Sequence, residues 1–236
     1  MDSLASLTQE QWLKGQFLLV DKPLHWTSFQ VVNKVRWALK KRLGLKKIKV
    51  GHAGTLDPLA TGLLILCVGK WTKKIDSYQS MEKQYTGCFL LGATTPSYDL
   101  ETDIDKTFPT AHIKKEDLVQ VQKQFLGDLL QKPPVFSAIK KEGTRLYEHA
   151  RKGNQVAVPE RKIQINKFEI DSSAFPEIAF KVNCSKGTYI RSLAHDFGQK
   201  LQSGAHLTQL RRTKIGKYTV EDAYNLQALI DELTAQ

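Results

Sequence analysis

The segment Gly51-His52-Ala53-Gly54-Thr55-Leu56-Asp57-Pro58-Leu59-Ala60-Thr61-Gly62 gathers residue types from which a site can be built. Its glycines let the backbone approach a ligand closely, and Pro58 drives the residue before it toward an extended conformation, which fixes where Asp57 points. A carboxylate presented in this way can act as nucleophile or base. It can equally be a turn former that bonds its own backbone, and spacing alone leaves both uses open. A triphosphate-binding loop is disfavoured, because the spacing is not G-x-x-x-x-G-K-[ST] and no lysine follows Gly62. His25, His52, His112, His149, His195 and His206 show no paired metal-ligand spacing, so no metal site is expected. Cys67, Cys88 and Cys184 lie far apart without a C-x-x-C pair and are expected to be buried thiols in a reducing compartment.

Such a loop needs rigid elements at both ends. Residues 47–50 read as a strand entering it, and the apolar run 63–68 as a buried strand leaving it. Before it, residues 15–20 form a short strand stopped at Lys22-Pro23. A helix follows, capped by Thr27 or Ser28 and ended by Gly44, with one apolar and one basic face. Past Lys70 a short polar helix leads to a strand over residues 84–93, an acidic loop over 94–110, and a helix through Leu118, Val121 and Phe125 that ends before Pro133-Pro134. Residues 135–159 read as an excursion from the sheet with a short helix at 147–151. Strands are expected at 163–170 and 178–184. Ile190, Leu193, Ala194, Phe197 and Leu201 then fit the helical template most clearly. A strand at 207–212 and a helix through Leu226, Leu229, Ile230 and Leu233 complete the chain. The fold class is α+β, a mixed α/β chain with a large, mostly antiparallel sheet flanked by helices. Residues 1–15 read as a loose or weakly helical start.

With 236 residues, 41% apolar and 25% charged, the chain has the size and composition of one globular domain, which excludes disorder, collagen and coiled coil. The longest apolar stretch is far shorter than the roughly 20 residues of a membrane span, and the first residues lack a signal-peptide pattern, so a cytoplasmic protein without a membrane partner is expected. The net charge is +11, and its placement matters more than its sum. No acid occurs between Lys22 and Leu56, a window holding Lys34, Arg36, Lys40, Lys41, Arg42, Lys46, Lys47 and Lys49. A second acid-free window, 197–220, holds Lys200, Arg211, Arg212, Lys214 and Lys217, while Asp99, Glu101, Asp103 and Asp105 cluster elsewhere. Segregation of this kind suits a polyphosphate partner, the alternative being a merely solubilising surface.

The loop around Asp57 closely resembles the catalytic motif of the TruB-type pseudouridine synthases, which convert the T-loop uridine of transfer RNA to pseudouridine. Further matches follow in order: Val20-Asp21-Lys22-Pro23, Lys83-Gln84-Tyr85, Pro133-Pro134-Val135-Phe136-Ser137-Ala138 with Tyr147, Ala150 and Arg151, Cys184-Ser185-Lys186-Gly187-Thr188-Tyr189-Ile190-Arg191, and Ala205-His206-Leu207 with Leu210-Arg211-Arg212. The resemblance implies the pseudouridine synthase catalytic core as a single domain over residues 1–236, with an inserted RNA-clamping element at 105–159. It implies an isomerase that works on the T arm of tRNA, as a monomer, without metal or cofactor. Asp57 would be the essential nucleophile or base, Arg191 its ion-pair partner, and Tyr85 the ring that stacks on the target uracil. His52 would fill the space left by the extruded nucleotide. Tyr189 and Leu210 would pack at the site, and Lys22 and Lys73 would lie near substrate. Ala53 departs from the small hydroxyl residue usual there. Many bacterial members continue into a C-terminal RNA-binding appendage, whereas this chain ends at Gln236, so affinity is expected to rest on the basic faces. Two other functions suit the same scaffold: a non-catalytic RNA-binding or RNA-folding protein, and a synthase for another RNA.

Overall fold

A computed structural model describes residues 4–137, 140–141, 144–145 and 158–235. The chain divides into two compact units, Met1–Tyr85 with Arg211–Gln236, and Thr86–Leu210. The short helix expected at 147–151 lies outside the described residues.

The first unit is organised by one strand, β3 (Ala60–Val68), in which nearly every residue is buried. Side chains alternate across a strand, so β3 feeds two cores at once. Leu64, Leu66 and Val68 join Leu18 and Val20 of β1 (Gln16–Lys22) on one face, under helices α2 (Ser28–Leu43) and α6 (Leu226–Thr234). Leu63, Ile65 and Cys67 join Leu19, Tyr78, Ile215 and Val220 on the other. Leu64 and Ile65 are fully buried, so truncating either to alanine removes about 2–5 kcal/mol. The ladder order in this unit is β14 (Tyr224–Asn225), β1, β3 and β12 (Ala205–Ile215), with β2 (Val50–His52) also on β3 and β13 (Tyr218–Thr219) on β12. The β1–β3 and β2–β3 ladders are antiparallel and β1–β14 is parallel.

Helix α2 begins and ends where its sequence dictates. Thr27 caps it in a reciprocal box with Gln30, and Gly44 closes it in the left-handed conformation at φ 64°. The start of the chain is better ordered than expected. Helix α1 (Gln9–Lys14) carries a capping box between Thr8 and Gln11 and buries Trp12 completely. A 3-10 turn (Gly69–Lys74) and α3 (Ile75–Gln79) form the short polar helix after Lys70.

In the second unit the ladder order is β12, β4 (Lys83–Leu91), β11 (Glu177–Cys184), β10 (Arg161–Asp171) and β7 (Gly127–Gln131), the last three joined antiparallel. The fold class is mixed α/β, with a large mixed sheet flanked by helices. Small hairpins β5–β6 (Ala93–Thr94, Lys106–Thr107) and β8–β9 (Lys140–Lys141, Thr144–Arg145) lie off that order. Phe197 of α5 (Ile190–Lys200) is fully buried, with its ring 5.0 Å from Phe89, 5.9 Å from Phe125 and 6.0 Å from Phe168. This aromatic cluster joins α5 and the end of α4 (Lys115–Lys123) to the sheet.

Candidate active site

In the first unit the loop 53–59 is fastened by its backbone at Ala53, Gly54, Leu56, Asp57 and Pro58. The Ala53 amide donates to Ile65 O at 2.9 Å, continuing the β2–β3 ladder. The fully buried Arg212 donates from Nη2 to Gly54 O at 3.1 Å and from Nε to Leu63 O at 2.7 Å. Ser28, the first residue of α2, accepts from the Leu56 amide at 2.8 Å and donates to Leu56 O at 3.1 Å. Pro58 O accepts from the His25 amide at 2.8 Å. The Ala60 amide bonds Asp57 O at 3.1 Å and turns the chain into β3. At Gly62, where φ is +106°, a Cβ would sit 2.3 Å from Arg212 O, so only glycine admits this approach of β12. The half-buried carboxylate of Asp57 is thus carried by a backbone with little freedom to move.

Lys22 differs from the expectation of a lysine offered to substrate. It is fully buried, and its ammonium donates to Trp26 O at 2.6 Å, Pro23 O at 2.9 Å and, more weakly, Pro58 O at 3.5 Å. Burial lowers its pKa to about 8, against the opposing attraction of Asp57. It acts on the loop as a clamp and as a nearby positive charge. We expect Lys22→Met to cost about 2–4 kcal/mol, because carbonyls that now receive an ammonium lose their donor. The sign with pH follows from the lowered pKa. Between pH 8 and 10.5 the unfolded chain binds more protons than the folded one, so wild type gains stability over the variant as pH rises through that window. Urea unfolding at pH 7 and pH 10 reads the difference, and a constant gap would show that Lys22 is not the buried ammonium described.

His52 is half-buried on β2, and burial together with the Arg212 guanidinium holds it below the usual imidazole range, leaving the ring neutral at pH 7. Tyr85 is buried on β4, two residues after Lys83, whose ammonium is bound to Gln79 O and Met81 O. Lys73 is exposed on the 3-10 turn. The second basic window is altered by the structure: Arg211 forms an ion pair with Asp21 at 2.7 Å and Arg212 is inside, so of 211–217 only Lys214 and Lys217 are exposed cations.

Arg191, Tyr189 and Leu210 belong to the second unit. Arg191, in the first turn of α5, is 4% exposed. Its guanidinium donates to Ser97 O at 3.2 Å and Phe136 O at 2.8 Å, and its Nε lies 3.6 Å from Asp99 Oδ2. Asp99, itself 5% exposed, is the residue that sequence reasoning missed. It was grouped with Glu101, Asp103 and Asp105, all of which are exposed. Its signal was the run of small hydroxyl residues before it: Thr95 and Ser97 both bond Asp99 O and fold the loop inward. Tyr189 is fixed by a two-way bond with the Gln131 side chain, at 2.8 and 3.0 Å, and its ring lies 5.1 Å beneath the Arg161 guanidinium. Leu210 is half-buried on β12.

Residues 40–190 match the TruB family pseudouridylate synthase N-terminal domain, and residues 191–236 match the tRNA pseudouridylate synthase B C-terminal domain. The chain belongs to the TruB family. The "tRNA pseudouridine synthase B" of Flavobacterium johnsoniae is 60% identical over 96% of this chain and 100% of that protein. The protein of the same name from Phocaeicola vulgatus is 51% identical over 94% of this chain and 95% of its own. Among solved structures, a Cbf5-Nop10-Gar1 complex contains a similar chain with a TM-score of 0.69 and 27% identity, covering 94% of this chain and 55% of that one. In this TruB-family chain the two matches together span residues 40–236.

Proposed function

We propose that this chain isomerises the T-loop uridine of tRNA, position 55, to pseudouridine, and that Asp57 starts the reaction. It is an isomerase of the TruB family, and the relatives that match it end to end are named for tRNA pseudouridine synthesis. The reaction breaks the bond from C1′ to N1 of uracil, turns the base and forms a bond from C1′ to C5. The C5 proton is lost and N1 gains one, so the composition does not change. The observation that supports Asp57 as initiator is its loop: a half-buried carboxylate carried between backbone anchors at Ala53, Gly54, Leu56 and Pro58. Preorganisation of this kind keeps a reacting group aimed without reorganisation at the moment of reaction.

The target base must leave its stack to reach Asp57, and the planar, neutral His52 ring suits the gap it leaves. Tyr85 offers an aromatic face to the extruded uracil. Arg191 is assigned the role of ion-pair partner to the Asp57 carboxylate, and within its own unit its guanidinium faces Asp99. Tyr189 and Leu210 shape the pocket, and Lys73 meets the RNA backbone. The protein works as a cytoplasmic monomer without cofactor, as one catalytic domain whose element at 105–159 clamps the RNA. Incubation with an unmodified T-arm hairpin, followed by mapping of pseudouridine, tests the assignment directly: product at the T-loop uridine supports it, and product elsewhere or none removes it.

Affinity is assigned mainly to the first basic window, where Lys40, Lys41, Lys46, Lys47 and Lys49 are exposed. Replacing Lys40, Lys46 and Lys49 by Gln is expected to flatten the slope of log affinity against log salt by roughly 2–3. The same exchange at Arg211 should leave the slope unchanged, because that side chain is bound to Asp21. Titrations at several salt concentrations decide it, and an unaltered slope in the triple variant would make the window merely solubilising.

A further inference from the structure

Helix α2 buries Val31, Val32, Val35, Ala38 and Leu39 in the core of the first unit and leaves an unusual outer side. On that side Phe29 and Trp37 are 62% and 50% exposed. They stand eight residues apart, a little over two turns and about 80° round the axis, so the outer side of the helix carries both as one broad strip. The ammonium groups of Lys34 and Lys41 lie 5.1 and 5.6 Å from the centre of the Trp37 ring. Lys34 also lines a cavity of about 200 Å³ with Pro23, Trp26 and Ile230. No acidic residue occurs in this helix or anywhere between Lys22 and Leu56.

Two large aromatic rings left in water beside several cations, with no acid among them, are complementary to a ligand that is both anionic and planar. A nucleic acid supplies phosphates for the lysines and bases for the rings. Position narrows the choice. Ser28, the first residue of α2, is the one that clasps Leu56 beside Asp57, so the strip begins at the catalytic loop. At 1.5 Å per residue it then runs about 12 Å, from Phe29 to Trp37, away from that loop.

We propose that the Phe29–Trp37 side of α2 is a second RNA-binding surface, on which unpaired nucleotides outside the target loop stack while Lys34 and Lys41 neutralise the adjoining phosphates. This rests on the proposed activity and adds to it the place where the rest of the tRNA is held. Stacking on such rings tolerates any base, so the surface would add affinity without adding sequence preference.

The test compares two RNAs: a full-length unmodified tRNA, and a hairpin trimmed to the T loop and its closing pairs. The double variant Phe29→Ala/Trp37→Ala is expected to bind the full tRNA about tenfold more weakly, and the hairpin as wild type does. Trp37→Phe should recover most of the loss, since it keeps a ring. Both side chains are exposed, so the unfolding midpoint should be unchanged, and Leu100→Ala, which also removes an exposed apolar side chain, serves as control. Lys34→Gln with Lys41→Gln should lower the salt slope on full tRNA by roughly 2. Equal affinity of the double variant and wild type for full tRNA overturns the proposal, as does equal weakening on both RNAs. Self-association of wild type that the double variant abolishes, with RNA affinity intact, would make the strip a contact between copies and overturn it too. Failure of the proposed activity looks different: wild type would form pseudouridine in neither RNA, while the affinity comparison would still report on α2.

Discussion

Asp57→Asn is expected to make no pseudouridine in a single turnover at saturating enzyme, while RNA affinity stays within a few fold of wild type. The amide has nearly the shape of the carboxylate but is neither ionised nor nucleophilic. The loop anchors described above are made by backbone atoms of 53–60 with Ser28, His25, Lys22 and Arg212, so the substitution leaves them in place. This separates catalysis from binding more cleanly than a deletion would. The outcome also discriminates the enzyme from an RNA-binding protein on the same scaffold, because binding alone does not need the charge. Appreciable product from the variant would remove Asp57 as initiator.

The second large effect is expected at Arg191. Its guanidinium serves two carbonyls and faces the buried Asp99. Arg191→Met therefore leaves Asp99 without that cation at 5% exposure and should cost about 3–5 kcal/mol of stability in addition to the chemical step. Arg191→Lys keeps charge but loses the planar fork, and is expected to restore stability in part and rate only slightly. The decisive variant is Arg191→Met/Asp99→Asn. Removing both charges should recover much of the stability, because no buried carboxylate is then stranded, while turnover stays lost. Unfolding curves and single-turnover rates on one T-arm substrate give both readings. Recovery of turnover in parallel with stability would assign Arg191 to folding and not to Asp57.

Helix α2 was legible at its ends, where the Thr27 cap and Gly44 agree with the observed bounds, but not in its faces: Phe29 and Trp37 read as part of the apolar side and are 62% and 50% exposed. Helix α5 was legible from its apolar spacing alone, and it starts at Ile190 where that spacing begins. The run 63–68 was recognisable as a buried strand, but β3 begins at Ala60, inside what reads as loop; β1 pairs with it as far as Gly62, and β12 lies on its other side. Strand β7 was missed altogether. Gly127-Asp128-Leu129-Leu130-Gln131 has no strong strand propensity, and it is pairing with β10 that makes it a strand. At the site, Asp57 stood out by its glycines and proline, whereas Asp99 and Arg212 did not. Their roles depend on burial, and a buried arginine reads in sequence like any surface cation.

The bond from Arg212 to Gly54 O spans 158 residues of chain. On a ribosome adding about 5–20 residues per second, the aspartate loop therefore emerges roughly 8–30 s before the arginine that secures it. During that interval the nascent chain has the Asp57 carboxylate but not the arginine that fastens its loop. Transfer RNAs crowd the place where the chain is made, and an enzyme that modifies them competently from its first eighty residues would act while tethered. Here the full set of anchors on the loop waits for the return of β12, so a polypeptide stalled or clipped short of residue 212 lacks the bonds to Gly54 O and Leu63 O.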